Sequence, residues 1–187
     1  FIVMENFNLL CNFIVERENI RIRKEANEKF PWTIDEILQT YKFTNISRKH
    51  DKFTIALFKE VKTWKTNNIS DVLFNTLVHR SHSRLDTLQK WQFISSLEDL
   101  NEKIDKDVKD NRTIFTGAFT CSHSIDDYKK SFRELWYNRD KLSRKLLVAE
   151  SLAEIFKYLS EFYLIGNFMA WQMLCDLKLF KLISNTY

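Results

Sequence analysis

The sequence predicts an all-α fold, and three observations favour that class. Glycine and proline are scarce, with 2 Gly and 1 Pro among 187 residues, which leaves few tight turns for a fold of many short strands. The hydrophobic fraction of 44%, including 16 Phe, 6 Tyr and 5 Trp, is sufficient for a packed core. Apolar residues also recur at spacings of three and four behind Ser and Thr helix-start signals. We therefore expect a single helical domain over residues 1–187.

The first third of the chain is predicted to form three amphipathic helices, with approximate ranges of 5–26, 34–41 and 50–65. Thr33 and Glu36 have the spacing of a capping box, in which the hydroxyl accepts a hydrogen bond from a free first-turn amide. The second helix should therefore begin at Ile34. Its buried face is expected to comprise Ile37, Leu38 and Tyr41.

Helix signals continue through the middle of the chain. Ser70 is expected to cap a helix that runs into the polar stretch beginning at His79, and another helix should begin near Ser83. A short helix of alternating charge is predicted over 97–108, with a solvated face and no chemistry. Residues 113–121 are rich in β-branched and aromatic side chains and are expected to form a loop or an extended segment.

The last part of the chain is predicted to contain a long helix followed by a helical hairpin. Ser124 and Asp127 should begin a helix that ends near Tyr137 and is followed by a polar basic stretch. A second capping box, formed by Ser151 and Glu154, precedes the hairpin. Its tight turn is expected at a glycine, because glycine adopts positive φ freely. The resulting helix-hairpin-helix element covers about 151–180, with Gly166 in its turn and Asn167 at the start of its second helix.

Composition and spacing exclude several classes of function. Two glycines cannot build a Gly-rich phosphate loop, so a P-loop or Rossmann nucleotide site is excluded and no cofactor is expected. The histidines and cysteines lack the spacing of metal ligands, so no metal is expected. The 3 cysteines are odd in number and far apart, which indicates reduced thiols and a cytoplasmic location, the host cytoplasm if the protein is viral. The most apolar run, 163–175, is shorter than a membrane span, so no membrane partner is expected.

Two polar clusters in the N-terminal part are candidate binding sites. Arg17 and Arg21 share a helical face, which is either a solvated helix end or an edge that faces phosphate. The net charge of +4 permits a polyanionic partner without requiring one. Asn45, Arg48 and Asp51 lie at a helix junction, where they either contact phosphate or a base edge or form an internal Arg–Asp lock. The residues alone favour the lock.

Asp176 is a candidate site residue in the C-terminal part, because it interrupts an apolar helix ten residues after Gly166. Its carboxylate faces either solvent or a cleft, and Gln172 lies one turn earlier on the same face. The hairpin turn can hold a DNA phosphate on its backbone amides. An ordinary helical hairpin is the commoner use of this arrangement.

An ordered set of motifs resembles a known family over residues 15–177. The motifs are ERENIRIRK, PWTIDEIL, YKFTNISRKHDKFT, HRSHSRLDTL, IFTGAF and GNFMAWQMLCDL. In this order they resemble the alpha-glutamyl/putrescinyl thymine pyrophosphorylases of phage DNA hypermodification systems, a family that includes the similar helical domain of hydroxymethyl-deoxyuridine DNA kinases. The resemblance implies a chain that is truncated at its C-terminus relative to the family.

The resemblance also implies a fold similar to helix-hairpin-helix DNA glycosylases and a transferase reaction on modified thymine in DNA. An amine or amino acid would replace pyrophosphate on an activated hydroxymethyluracil base that is turned out of the duplex. Asp176 or Asp51 would accept the amine proton, and arginines would neutralise the diphosphate. The residues implied to contact DNA or substrate are Arg17, Arg21, Asn45, Arg48, Arg80, Gln172 and Gly166.

Three other functions share these residues. One is a non-catalytic DNA-binding domain of a hydroxymethyluracil DNA kinase system, and another is a DNA glycosylase, which would release a free base. A purely structural helical protein is the remaining alternative. The sequence does not specify which amine or which modified base is used.

Overall fold

The computed structural model describes residues 2–41, 43–117 and 123–184, with the backbone alone for residues 2–5. All regular structure in these ranges is helical, which confirms the all-α prediction. The α-helices are α1 Ile2–Glu25, α2 Glu36–Thr40, α3 Lys52–Val61, α4 Ile69–His82, α5 Leu85–Trp91, α6 Leu97–Lys109, α7 Ile125–Val148, α8 Leu152–Ser160 and α9 Asn167–Leu179. A 3-10 turn covers Arg48–His50. No helix among the described residues is both long and apolar enough to span a membrane.

The chain divides into two compact units, Phe1–Asp51 and Lys52–Tyr187. The first, unit 1, contains α1, α2 and the 3-10 turn. The second, unit 2, contains α3 to α9.

The core of unit 2 is built around α4, which packs against α7, α9 and α3. Nearly every residue of α4 from position 73 onwards is buried, as expected for a central helix. The large cluster also takes side chains from α6, α7, α8 and α9, while a smaller cluster contains Phe53, Leu57, Leu88 and Phe180. This packing makes the polar residues of α4 and α9 interior residues.

In unit 1, the predicted start of α2 is wrong by two residues. Asp35 caps the helix by accepting a hydrogen bond from the Leu38 amide at 3.0 Å. The Thr33 hydroxyl instead accepts from the Asp35 amide, two residues further on, which forms a turn before the helix. The predicted buried face is also incomplete, because Ile37 and Tyr41 are 61% and 67% exposed.

Two further helix boundaries differ from the prediction. Asn68, rather than Ser70, caps α4. The helix runs into the polar stretch as predicted and ends at His82, with its last turns buried inside unit 2. The Ser124 and Asp127 capping box is confirmed. Its helix α7 runs past Tyr137 to Val148, since buried residues recur at helical spacing along its whole length. Residues 113–117 contain no strand, and the remainder of the predicted extended segment lies outside the described ranges.

The turn between α8 and α9 has a different conformation from the one predicted. Gly166 has φ −72° and ψ 174°, in the extended region that any residue adopts. The positive φ of this turn, 63°, belongs to Leu164. A Cβ atom added to Gly166 would meet no atom within 4 Å. The turn therefore does not depend on the conformational freedom of glycine, although the predicted start of α9 at Asn167 is confirmed.

Candidate functional site

Arg80 on α4 and Asp176 on α9 form a buried ion pair inside unit 2. The side chains are 2% and 0% exposed, and the Arg80 Nε donates to Oδ2 of Asp176. Arg80 Nη2 donates to the Thr54 hydroxyl at 2.9 Å, and the guanidinium carbon lies 4.7 Å from the centre of the Phe53 ring. The pair thus joins α3, α4 and α9 across 96 residues of sequence.

The two partners are interior because each lies on a helix packed on several sides. Arg80 follows the buried apolar residues of α4, and Asp176 lies between the buried Leu174 and Leu177 on α9. Removing one charge would leave the other buried without its counter-ion, which costs several kcal/mol. Substrate reaches this carboxylate only if the packing around it opens. The prediction that the Asp176 carboxylate faces solvent or a cleft is therefore wrong, because the side chain is buried in the interior of unit 2.

Gln172 and Gly166 lie on the same hairpin as Asp176 but are more accessible. Gln172 is half-buried, and its Oε1 has no hydrogen-bond partner among the described residues. Gly166 lines a cleft of about 590 Å³ beside the start of α9. Other lining residues include Ser81, His123, Tyr128, Phe162 and Phe168.

The predicted arginine face of α1 is occupied by contacts within unit 1. Arg17 Nη2 donates to the carbonyl oxygens of Phe43 and Thr44 at 3.0 and 3.2 Å. Arg21 forms ion pairs with Glu18 and Glu25 at 2.6 and 2.5 Å. The hydrogen bonds to these carboxylates raise the Arg21 pKa further above its usual value. Both guanidinium groups therefore stabilise local structure in unit 1.

Asn45, Arg48 and Asp51 surround the 3-10 turn of unit 1. The Asn45 side-chain amide donates to the His50 carbonyl oxygen at 2.8 Å. Arg48 begins the 3-10 turn, and the Asp51 amide donates to the Arg48 carbonyl oxygen at 3.0 Å. The three residues are thus close to one another in the chain and in unit 1. Their assignment to a DNA or substrate site stays a prediction.

The sequence-based reasoning missed a chain of hydrogen bonds through two buried histidines of α4. The Gln92 carbonyl oxygen is only an acceptor, so His79 donates to it from Nε2 at 2.7 Å. His79 Nδ1 then accepts from His82 Nε2 at 2.9 Å, and His82 Nδ1 accepts from the Arg84 amide at 3.1 Å. Every ring nitrogen has a partner while both rings are neutral.

Burial keeps these histidines neutral. It lowers the pKa of His79 to about 4 and holds the pKa of His82 well below its usual value. The positive charges of Arg80 and Arg84 lower the His82 pKa further. The spacing of three residues, which places both rings on one face of a helix, is the sequence signal for this contact.

Within the described ranges, no cluster of three or more His, Cys, Asp or Glu residues has the geometry of a metal site. Cys11 is a free thiol, and Cys121 lies outside those ranges.

Comparison with known proteins gives a family match over nearly the whole chain. Residues 4–186 match the sequence model of the family described as 5-hmdU DNA kinase, helical domain. A curated protein of Bacillus phage SP10, named 5-hmdU DNA kinase, is 24% identical over 196 aligned positions that cover 90% of this chain and 30% of the phage protein. The chain thus spans less than a third of that relative's length. No solved structure shows significant similarity to the chain.

These matches bear on the resemblance drawn from the motifs. They support the part that concerns the kinase helical domain, while membership of the pyrophosphorylase family itself stays a prediction. The match between residues 4 and 186 also includes both units. The chain therefore belongs to the family of 5-hmdU DNA kinase helical domains.

Proposed function

We propose that this chain acts on DNA in a pathway that modifies thymine-derived bases, with DNA containing 5-hydroxymethyl-deoxyuridine as its substrate. The family match over residues 4–186 carries this proposal. The name of the phage relative points to the same modified nucleotide. The kinase activity in that name belongs to a protein of which this chain matches 30%, so phosphorylation is not assigned to the chain.

In its finer form, the proposal is a transferase reaction in which an amine or amino acid displaces pyrophosphate from an activated hydroxymethyluracil base. Within unit 2, Arg80 would neutralise the leaving group and Asp176 would accept the proton of the attacking amine. Arg48 and Asp51 are the corresponding candidates within unit 1. We further propose that α8 and α9 act as a helix-hairpin-helix element like that of DNA glycosylases. For Asp176, this chemistry requires the buried pair with Arg80 to separate when DNA binds.

A second candidate function is a DNA-binding helical domain without chemistry of its own. Arg80 is paired with the Asp176 carboxylate, and both side chains are at most 2% exposed. This favours the second candidate, because a buried pair can hold helices together without having to separate for a reaction. The chemistry would then belong to another domain or another protein. The two candidates share DNA binding and differ in whether Asp176 is needed for a reaction.

DNA binding is tested with the full chain and two fluorescein-labelled duplexes that differ only in one 5-hydroxymethyl-deoxyuridine in place of thymidine. Anisotropy across a salt series should show affinity that falls with salt, because phosphate contacts release counter-ions. It should also show preference for the modified duplex. Arg48→Ala should weaken binding, whereas Lys49→Ala is the neighbouring control. Absence of salt-dependent affinity for either duplex would contradict the proposed function.

The reaction is tested on duplex DNA carrying the pyrophosphorylated base, incubated with putrescine or an amino acid. Nucleoside mass spectrometry should detect the amine adduct, and Asp176→Asn should abolish it while the variant still binds DNA. An adduct that persists in the variant would remove Asp176 from the mechanism. DNA binding without any adduct would favour the second candidate, and release of free base would indicate a glycosylase.

A further inference from the structure

Helix α7 carries most of the excess positive charge of the chain. Its 24 residues include seven Lys or Arg and four Asp or Glu, a net charge of +3, whereas the whole chain has +4. The predicted break near Tyr137 would have divided these charges between a helix and a loop. In the structure they belong to one continuous helix, so their positions around its axis are defined.

Four of these cations form an exposed stripe around one tyrosine. The stripe, which we call the α7 basic stripe, consists of Lys130, Arg133, Tyr137, Lys141 and Arg144. The successive spacings of three, four, four and three residues keep all five on one face of an α-helix. At 1.5 Å per residue the stripe is about 21 Å long, which corresponds to roughly six base pairs of B-DNA.

The opposite face of α7 holds the helix in the core. Phe132, Leu135, Leu142 and Leu146 are each at most 4% exposed and lie about half a turn away from the stripe. The basic residues are therefore presented outwards by a helix that is anchored along its length. Tyr137, at the centre of the stripe, is 72% exposed.

Among the residues that the structure describes, no ion pair neutralises the charges of the stripe. None of its four cations lies within 4 Å of a carboxylate of any residue that the structure describes. Lys130 lies over the Tyr163 ring, which leaves its charge intact. Asp126 and Asp140 are exposed acids of the same helix, one four residues before Lys130 and one next to Lys141. Glu134 and Glu161 line a pocket together with Lys141.

Other basic residues of the chain provide a contrast. Arg21 on α1 is held by two glutamates, Lys103 on α6 is paired with Asp99, and Lys129 on α7 itself is paired with Asp105. An ordinary solvated helix face shows such alternation of charge. The α7 basic stripe departs from it by presenting one sign of charge around an exposed aromatic ring.

We propose that the α7 basic stripe binds the phosphodiester backbone of duplex DNA. The inference rests on the proposed function and specifies a surface that contacts the DNA. Over about 21 Å, a DNA strand carries roughly six phosphates, which four long cationic side chains can partly neutralise, and the central phenol can donate to a phosphate oxygen. Such contacts position the duplex and carry no base preference. Recognition of the modified base is left to other residues.

The test compares two variants that remove the same number of charges. The stripe variant is Lys130→Gln, Arg133→Gln, Lys141→Gln and Arg144→Gln. The control variant is Lys59→Gln, Lys65→Gln, Lys106→Gln and Lys109→Gln, which are exposed lysines on other parts of unit 2. Glutamine is a good helix former, so both variants should keep their fold, which the midpoint of urea unfolding checks.

The stripe variant should bind a 20-base-pair duplex at least about tenfold more weakly than the parent at roughly 0.1 M salt. The slope of log affinity against log salt should shrink by about three to four units, since each phosphate contact contributes about one. The ratio of affinities for modified and unmodified duplexes should not change. The control variant should lose less than about threefold in affinity, because its charges lie elsewhere.

The outcomes separate this inference from the proposed function. Equal losses of DNA affinity in the two variants, or an unchanged salt slope in the stripe variant, would show that the stripe is not the backbone-binding surface. The proposed function would still stand if the parent chain binds DNA. A parent chain that binds neither duplex would contradict both. A stripe variant that loses its preference for the modified base would also overturn the inference, since backbone contacts are independent of base.

Discussion

At the scale of single residues, the buried Arg80–Asp176 pair is expected to make unit 2 sensitive to the loss of either partner. Asp176→Asn leaves the Arg80 guanidinium buried beside a neutral amide, so the free energy of unfolding should fall by about 3–5 kcal/mol. The midpoint of urea unfolding, followed by tryptophan fluorescence, measures the loss.

Two control variants distinguish a lost ion pair from a general loss of packing. The double variant Arg80→Met with Asp176→Leu removes both charges and should recover most of the lost stability. Asp105→Asn breaks an ion pair whose carboxylate is 64% exposed and should change stability by less than about 0.5 kcal/mol. A double variant that is less stable than Asp176→Asn would show that the charges themselves are needed.

The buried histidines are expected to make the free energy of unfolding fall with acid at pH values above those at which carboxylates titrate. Since burial lowers the pKa of His79 to about 4, the unfolded chain, with a pKa near 6.5, binds that proton more tightly. Stability should therefore be complete above pH 6.5 and fall as pH decreases towards 4. His79 alone should account for ~3 kcal/mol over that interval.

Urea unfolding at intervals between pH 7 and pH 5 measures this dependence. His79→Gln should be less stable at pH 7 but should show a smaller loss as pH falls. His123→Gln, which replaces an exposed histidine, is the control variant. The carboxyl groups of Glu16, Asp99 and Asp127 have lowered pKa values and contribute at more acid pH. An equal pH slope in parent and His79→Gln would contradict the assignment.

At the scale of elements, the α8–α9 turn should tolerate replacement of its glycine. Gly166→Ala should cost less than about 0.5 kcal/mol, because Gly166 has negative φ and the added Cβ meets no atom. Leu164→Val should cost about 1–2 kcal/mol, since β-branched residues strongly disfavour the positive φ found there. Thermal unfolding of both variants checks the order.

Leu164→Met is the matched control for this pair, because Met is unbranched at Cβ and similar in volume to Leu. It should remain close to the parent in stability. A larger loss of stability in Gly166→Ala than in Leu164→Val would support the original prediction that the turn depends on glycine.

At the scale of the whole molecule, the two units should differ in their ability to fold alone. Both hydrophobic clusters consist of residues from 53 to 183. Unit 1 has only Ile20 and Leu38 as buried apolar residues among those described. A fragment of residues 52–187 should therefore unfold cooperatively in urea, whereas a fragment of residues 1–51 should lack a cooperative transition.

Near-ultraviolet circular dichroism provides the second measurement, since fixed aromatic packing gives a signal that a helical but unpacked chain lacks. The full chain is the control for the fragment of residues 52–187, which should keep most of the parent signal. A broad, non-cooperative transition in that fragment would show that unit 1 is required for the core of unit 2.

The sequence by itself determined the fold class and the positions of many helices. The scarcity of glycine, the apolar periodicity and the capping box at Ser124 and Asp127 predicted helices that are present. These signals were readable because a helix and its cap depend on residues within about four positions of one another. The exact helix starts were not predicted. Asp35 and Asn68 are the caps of α2 and α4, but Thr33 and Ser70 nearby are equally good capping residues, so the local sequence does not decide between them.

The tertiary structure alone decided which polar residues are interior and which are presented to solvent. Arg80 was a candidate from the sequence, but its pairing with Asp176 depends on packing across 96 residues. Likewise, the residues from 138 to 145 became part of a basic face only because core contacts extend α7 beyond Tyr137. Helical periodicity is a local property, whereas burial and charge pairing depend on which helices pack together.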